Sequence, residues 1–343
     1  MRHLLNALYV LTPEAYLSLD GENVVAKKGD SELGRYPLHS LEQITCFSYY
    51  GMSPALMGKC SEYKIETTFF SQNGRFLARV GSGTNGNVLL RRKQYRIADT
   101  AETSLGISKN FIVGKVYNSR WILERATREH PLSVDVERLK RISLLLRRSL
   151  HQIESCTEES SLRGIEGEAA NLYFSVFNEL ILRKNDMFEF NTRNRRPPLD
   201  NVNALLSFAY SLLANNCASS LEGVGLDPYV GFMHSERPGR ISLALDLMEE
   251  LRPVMADRFV LSGINNGVFS EDMFEKMQSG AVFLNEKGKK AFLGAWKTRR
   301  DEKITHPFLN EKLPWGLVPH IQALLLARFI RGDLDEYPPF LWK

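Results

Sequence analysis

A glutamate at position 166 stands where an apolar residue is expected. In GIEGEAANLYFSVFNELILRK (164–184), Ala169, Leu172, Tyr173, Val176, Phe177, Leu180 and Ile181 recur at i, i+3, i+4, i+7, i+8, i+11 and i+12. That spacing predicts a helix with one buried stripe. At about 100° per residue, Glu168 and Glu179 project off the stripe toward water. Glu166 does not: it lies on the stripe, three residues before Ala169, among Gly164, Gly167 and Ala170. A carboxylate aimed at a core costs several kcal/mol unless it is paired, protonated or bound to a cation. Three chemistries answer this. Glu166 could sit at the helix N-terminus and use the dipole. It could pair with Arg163 or Arg252. It could ligate a metal, which the flanking glycines favour by allowing close approach.

A second stretch holds further donors. GFMHSERPGRISLALDLMEELRP (231–253) places His234 before a Pro-Gly turn, then Asp246, Glu249 and Glu250 on a helical segment. Asp246 and Glu249, three apart, share one face, and Ala244, Leu247, Met248, Leu251 and Met255 form the opposite stripe. Taken alone this reads as a solvated acidic face, with Glu250 in water and His234 an ordinary core or surface histidine. Together with Glu166 it supplies mixed O and N donors. Carboxylates suit Mg²⁺ and Mn²⁺, and an imidazole tilts the choice toward Mn²⁺ or another transition ion. Such an ion, with positions left open for water and a phosphate oxygen, can polarise a phosphodiester and activate an attacking hydroxyl.

These residues need elements to hold them. The chain has 343 residues, which predicts two domains. Residues 1–80 read as a β domain: NALYVLT, AYLSLD, NVVAKK, QITCFSY, YKIETTFFS and RFLARV are short and rich in β-branched and aromatic residues, with turns at Asp20-Gly21, Lys28-Gly29-Asp30 and Asn73-Gly74. SPALMGKCSEY (53–63) is expected as one helix on this sheet. GSGTNGN (81–87) is a linker. Residues 88–343 carry a 3.6-residue period, with helices expected at 88–98, 104–128, 133–156, 165–184, 200–216, 243–257 and 316–331. The class is therefore α+β, a small β domain followed by a larger all-α domain.

No apolar run is long enough for a membrane helix. The N-terminal MRHLLNALYVLTPEAYLSL is interrupted by Asn6, Pro13 and Glu14 and lacks a cleavage site, so it reads as a strand, not a signal peptide. Four scattered cysteines without a CxxC pair argue against a zinc site and fit a reduced, cytoplasmic setting.

The net charge of +4 is unevenly spread: residues 88–200 hold 20 basic and 15 acidic side chains, while residues 1–87 hold 8 of each. A basic region beside a neutral domain fits a polyanion-binding protein. The basic clusters are LLRRKQYR (Arg91, Arg92, Lys93), the stripe Lys140, Arg141, Arg147 and Arg148, the loop NTRNRRPP (Arg193, Arg195, Arg196), and KGKKAFLGAWKTRR (287–300). Each is also what a solvated face looks like. Tyr173 and Tyr210 could stack on a splayed base, although core packing suits them better. Asp200 reads as a helix N-cap after Pro197-Pro198. DEYPPFLWK (335–343) is either a disordered end or a docking strand for a partner.

LRGIEGEAANLYF (162–174), RPPLDNVNALLSFAYSLL (196–213) and LDPYVGFMHSERPGRISLALDLMEELRP (226–253), in this order, resemble the CRISPR-associated integrases of spacer acquisition, the first of the numbered Cas proteins, and are closest to members from type I-C systems. The resemblance implies a homodimer with a β-sandwich-like N-terminal domain that dimerises and a helical catalytic domain. It implies a metal-dependent DNA endonuclease and integrase using Mn²⁺ or Mg²⁺. The family's three ligands fall on Glu166, His234 and Glu249, with Asp246 as the accompanying acid that orients a ligand or water and Arg252 placed to reach a phosphate. The third ligand is Glu here rather than the Asp of some relatives. Double-stranded DNA, both captured fragments and repeat DNA, is the implied substrate, and family members use basic side chains on DNA at the position of LLRRKQYR (89–96). A small ferredoxin-fold CRISPR-associated partner bridging two dimers is implied as well. The alternatives are a catalytically silent DNA-binding scaffold and a metal-dependent nuclease acting on RNA.

Overall fold

In the computed structural model, residues 7–72, 74–80, 87–183, 186–194 and 196–343 are described. The expected linker, apart from Asn87, lies outside the described residues, as do Arg195 and Asn73.

The β-rich segments form two sheets. β1 (Ala7–Val10), β5 (Gln43–Cys46), β6 (Glu66–Phe70) and β7 (Phe76–Val80) make one in the order β1-β5-β6-β7, while β2 (Tyr16–Asp20), β3 (Asn23–Lys28) and β4 (Ser31–Pro37) make the other. β1, β5 and β6 run parallel, and β6–β7 is an antiparallel hairpin. Leu17, Val24 and Ala26 from one sheet and Ile44, Cys46 and Phe69 from the other close on α1 (Pro54–Glu62) in one small core. Ser53 caps α1 through the Leu56 amide. β4 was not among the expected strands. Most of its length is exposed and it pairs with β3 alone, so no alternation marks it.

The larger part is mostly helical: α2 (Val88–Asp99), α3 (Ala101–Glu129), α4 (Val136–Ser155), α5 (Glu159–Ser175), α6 (Asn201–Gly223), α7 (Ser242–Leu251), α8 (Arg258–Asn265), α9 (Glu286–Asp301) and α10 (Val318–Arg331). Two short hairpins, β8–β9 (Phe274–Lys276, Val282–Leu284) and β10–β11 (Lys303–Thr305, Lys312–Pro314), interrupt the helices. Asp200 caps α6, accepting from the Asn203 amide at 2.7 Å. α6 is buried along nearly its whole length, and Phe208 on it meets Phe47 of the sheet region at 5.8 Å, so the two parts share packing.

Two elements depart from the helical spacing. The stripe helix ends at Ser175, and Phe177–Leu180 continue as a 3-10 turn that keeps Phe177 against Tyr173 and Phe190. Pro253 lacks the N–H that would extend α7, and Arg252–Asp257 open into a π turn leading into α8. The end of the chain docks on its own fold through two aromatic side chains. Tyr337 and Phe340 are fully buried against α3, α7 and α10 of the same chain.

Candidate active site

Glu166 lies on α5, Glu249 on α7, and between them comes Lys115 from α3. The Lys115 ammonium pairs with Glu166 Oε1 and lies 2.7 Å from Glu249 Oε2. The expected partners of Glu166, Arg163 and Arg252, are committed elsewhere: Arg163 bonds Glu159 and the Met233 carbonyl, and Arg252 Nη2 donates to Glu249 Oε1 at 2.7 Å. Lys115 escaped the sequence reading because it is one basic residue in a 29-residue helix. It reaches the site because its neighbour Gly114 lets α3 and α7 approach: a Cβ there would lie 2.6 Å from Glu250 Cβ.

His234 precedes α7 and is fixed by Asp246. The buried Asp246 carboxylate accepts from the amides of Phe232, Met233 and His234 and lies 2.6 Å from His234 Nδ1. The contact to Asp246 turns Nδ1 inward, and in the neutral ring with its proton on Nδ1 the other nitrogen, Nε2, is the one with a lone pair to offer. Gly231 makes this possible, since a Cβ there would stand 2.7 Å from Asp246 Oδ2.

α7 is not a solvated acidic helix. Its residues are buried on nearly every side by α3, α6 and α10. Glu250, expected in water, is 0% exposed. It accepts hydrogen bonds from Tyr337 Oη, Gln322 Nε2 and the Phe340 amide. A helix wheel assumes one dry face, and here the neighbours cover all of them.

The electrostatics follow from that burial. Desolvation alone would raise the Glu249 carboxyl, but the Arg252 guanidinium, the Lys115 ammonium and His234 outweigh it and hold the group at about 2. Desolvation pushes Asp257, at the end of the π turn, up to about 6 despite the Tyr210 hydroxyl it accepts from.

The donor chemistry suits a divalent cation. Two carboxylates from different helices already converge on one positive charge, and a carboxylate-oriented imidazole with a free Nε2 is a common metal-ligand arrangement. Among the described residues, no three His, Cys, Asp or Glu side chains lie close enough together to hold an ion as they stand. The ammonium of Lys115 takes the central place.

The basic residues divide. Arg92, Arg141 and Arg148 are exposed and make no ion pair among the described residues. Arg196 is exposed and precedes a cis proline. Arg91 is half-buried near Tyr95. Lys93 is tied to the Arg331 carbonyl at 2.8 Å. Arg193 is spent internally on Asn203 and Ser207 and over the Tyr210 ring. Tyr173 and Tyr210 are both buried, so neither offers a face to a base. The segment 287–300 is largely α9, whose Phe292, Leu293 and Trp296 are core.

Residues 8–298 match the family model described as CRISPR associated protein Cas1, and the chain belongs to that family. It is 45% identical over 343 residues, the full length of both chains, to CRISPR-associated endonuclease Cas1 1 of Chlorobaculum tepidum. It is 47% identical over 347 residues, again spanning both, to CRISPR-associated endonuclease Cas1 2 of Rhodospirillum rubrum. In fold it resembles a casposase bound to integration product, with a TM-score of 0.85 at 20% identity, covering 99% of this chain and 95% of that one.

Proposed function

We propose that this chain is a metal-dependent DNA endonuclease and integrase of CRISPR adaptation. The reading is carried by one observation: Glu166 and Glu249, from two helices, converge on a single cation beside an imidazole locked by Asp246. Membership of the family and relatives named as endonucleases support it.

Glu166, Glu249 and His234 Nε2 would hold Mn²⁺ or Mg²⁺. Asp246 orients the imidazole, and Arg252 orients the Glu249 carboxylate. When bound, the ion stabilises charge developing on the phosphate oxygens and lowers the pKa of the attacking hydroxyl. The 3′ oxygen of a captured fragment bonds to phosphorus at the repeat border as the bond from phosphorus to the repeat strand's own 3′ oxygen breaks. One phosphodiester replaces another, so no external energy source is required. Water in place of the 3′-OH gives endonuclease cleavage. Arg252, buried and bonded to Glu249, acts on the carboxylate rather than on a phosphate. Exposed Arg92, Arg141 and Arg148 are the cations available to double-stranded DNA. A homodimer working with a small ferredoxin-fold partner completes the reading.

The deciding experiment is transfer of a labelled duplex into a repeat-bearing plasmid with Mn²⁺, Mg²⁺ or EDTA. Transfer that survives EDTA sinks the metal mechanism, RNA cleaved in preference to DNA redirects the substrate, and no turnover with intact DNA binding leaves a scaffold. Arg141→Glu with Arg148→Glu is expected to weaken DNA binding and flatten its salt dependence, each lost phosphate contact removing about 0.9 from the slope.

Lys115→Met gives a separate check. Without the ammonium, two carboxylates face each other in a poorly hydrated site, so the variant is expected to melt below the unaltered protein. Added Mn²⁺ should then raise its Tm by more than it raises that of the unaltered protein. An equal Mn²⁺ effect on both would mean that Lys115 and the ion do not share a place.

A further inference from the structure

Between α3, α5 and the π turn lies a cavity of about 10 Å³, lined in part by Lys115, Tyr173, Arg252 and Asp257. That is room for about one water, provided polar partners surround it. Polar groups are present: Arg252 Nε is buried without a hydrogen-bond partner among the described residues, and the buried Tyr173 and Tyr210 hydroxyls both lie at the Asp257 carboxylate. A buried donor left unmade is costly, and one water joining Arg252 Nε to the tyrosine–Asp257 cluster removes that cost.

Asp257 is also the anchor of a second tyrosine. The Tyr210 hydroxyl donates to Asp257 Oδ1, and the Tyr210 ring carries the Arg252 guanidinium at 4.8 Å from its centroid and that of Arg193 at 5.1 Å. Arg252 in turn donates to Glu249 Oε1 at 2.7 Å. The π turn begins at Arg252 and ends at Asp257, so a single local distortion brings the guanidinium and its anchor to the same cavity. Such π turns recur at functional sites.

We propose that Tyr173, Tyr210 and Asp257, joined by one ordered water in this cavity, form a positioning network that holds Arg252 and, through it, the Glu249 carboxylate. The network touches neither DNA nor ion. It rests on the reading above of Glu249 as a ligand. Its function is to keep Glu249 Oε2 turned toward Glu166 when the Lys115 ammonium leaves.

The test compares the full-length unaltered protein with Asp257→Asn, Tyr210→Leu and Tyr210→Phe. A crystal structure of the unaltered protein is expected to show one water within hydrogen-bond distance of Arg252 Nε, and a dry cavity overturns the inference. Mn²⁺ titration without DNA is expected to show affinity falling about 10- to 100-fold in Asp257→Asn, the usual range for residues that hold a ligand. kcat for strand transfer should fall with it while KM for DNA stays. Tyr210→Phe keeps the ring under Arg252 and should recover part of what Tyr210→Leu loses. Unchanged Mn²⁺ affinity in both Asp257→Asn and Tyr210→Leu overturns the inference, whatever happens to Tm. If the unaltered protein neither binds Mn²⁺ nor transfers DNA, the functional reading fails separately. The network is then decided by the Asp257→Asn crystal structure. Loss of the Arg252–Glu249 contact supports it, and retention overturns it.

Discussion

Glu166→Gln protein is expected to lose strand transfer and endonuclease cleavage by about a thousandfold, the scale on which removing a charge-stabilising group acts, with little change in Tm. Glutamine keeps the shape and can still accept from Lys115, so the core beneath is undisturbed. What it loses is the negative charge that a divalent ion requires. Glu249→Gln is expected to be as inactive and also unstable, because this carboxylate is 4% exposed and neutralises two buried cations, Lys115 and Arg252. Removing one member of a buried charge set typically costs about 3–5 kcal/mol. Transfer gels and melting curves on the two variants separate the effects. Full activity in Glu166→Gln would move the ion away from α5.

The second large effect concerns stability. Truncation before Tyr337 is expected to lower Tm steeply or leave the protein insoluble. The segment it removes buries Tyr337 and Phe340, and burial of each aromatic is worth about 3–5 kcal/mol against alanine. It also strips two of the donors from Glu250 and frees Asn118, which bonds the Phe340 carbonyl and the Trp342 amide. Tyr337→Phe, losing only a hydroxyl, should cost about 1–3 kcal/mol. pH offers an independent reading. Desolvation pushes the Glu250 carboxyl up to about 7 against the hydrogen bonds of Tyr337, Gln322 and Phe340, whereas an unfolded glutamate titrates near about 4.3. The folded state therefore binds this proton more tightly. The contribution is fully present below the unfolded value and is lost as pH rises from about 4.5 to about 7, at up to about 1.4 kcal/mol per unit. Melting curves of unaltered and Glu250→Gln protein between pH 5 and 8 should converge or diverge accordingly, the unaltered protein losing stability relative to the variant as pH rises. A pH-independent difference would mean that Glu250 is charged throughout.

How much of this was legible in the sequence depends on range. Glu166 could be found because its helix carries a regular stripe, and a carboxylate on that stripe breaks a local rule. Asp246, Glu249 and Glu250 could not be placed the same way. All three are buried, yet the neighbours that bury them come from α3, α6 and α10, and the Tyr337 partner of Glu250 is 87 residues away. α9 was hidden by its charge: KGKKAFLGAWKTRR reads as a nucleic-acid patch, but Phe292 and Trp296 fall on one face and carry the helix into the core. β4 was invisible for the opposite reason, having almost nothing to bury. The division into a β part and a helical part was readable because it depends only on a change of period after about residue 87.

The clasp on Glu250 has a consequence for synthesis. Chains leave the ribosome from the N-terminus, and Tyr337–Phe340 emerge after every helix they bind. Until then Glu250, next in sequence to Glu249, lacks two of its three hydrogen-bond donors. With that clasp unmade, α7 holds a buried carboxylate short of partners right beside Glu249. A chain that stops before Tyr337 would carry Glu166, His234 and Glu249 with the Glu250 clasp unmade.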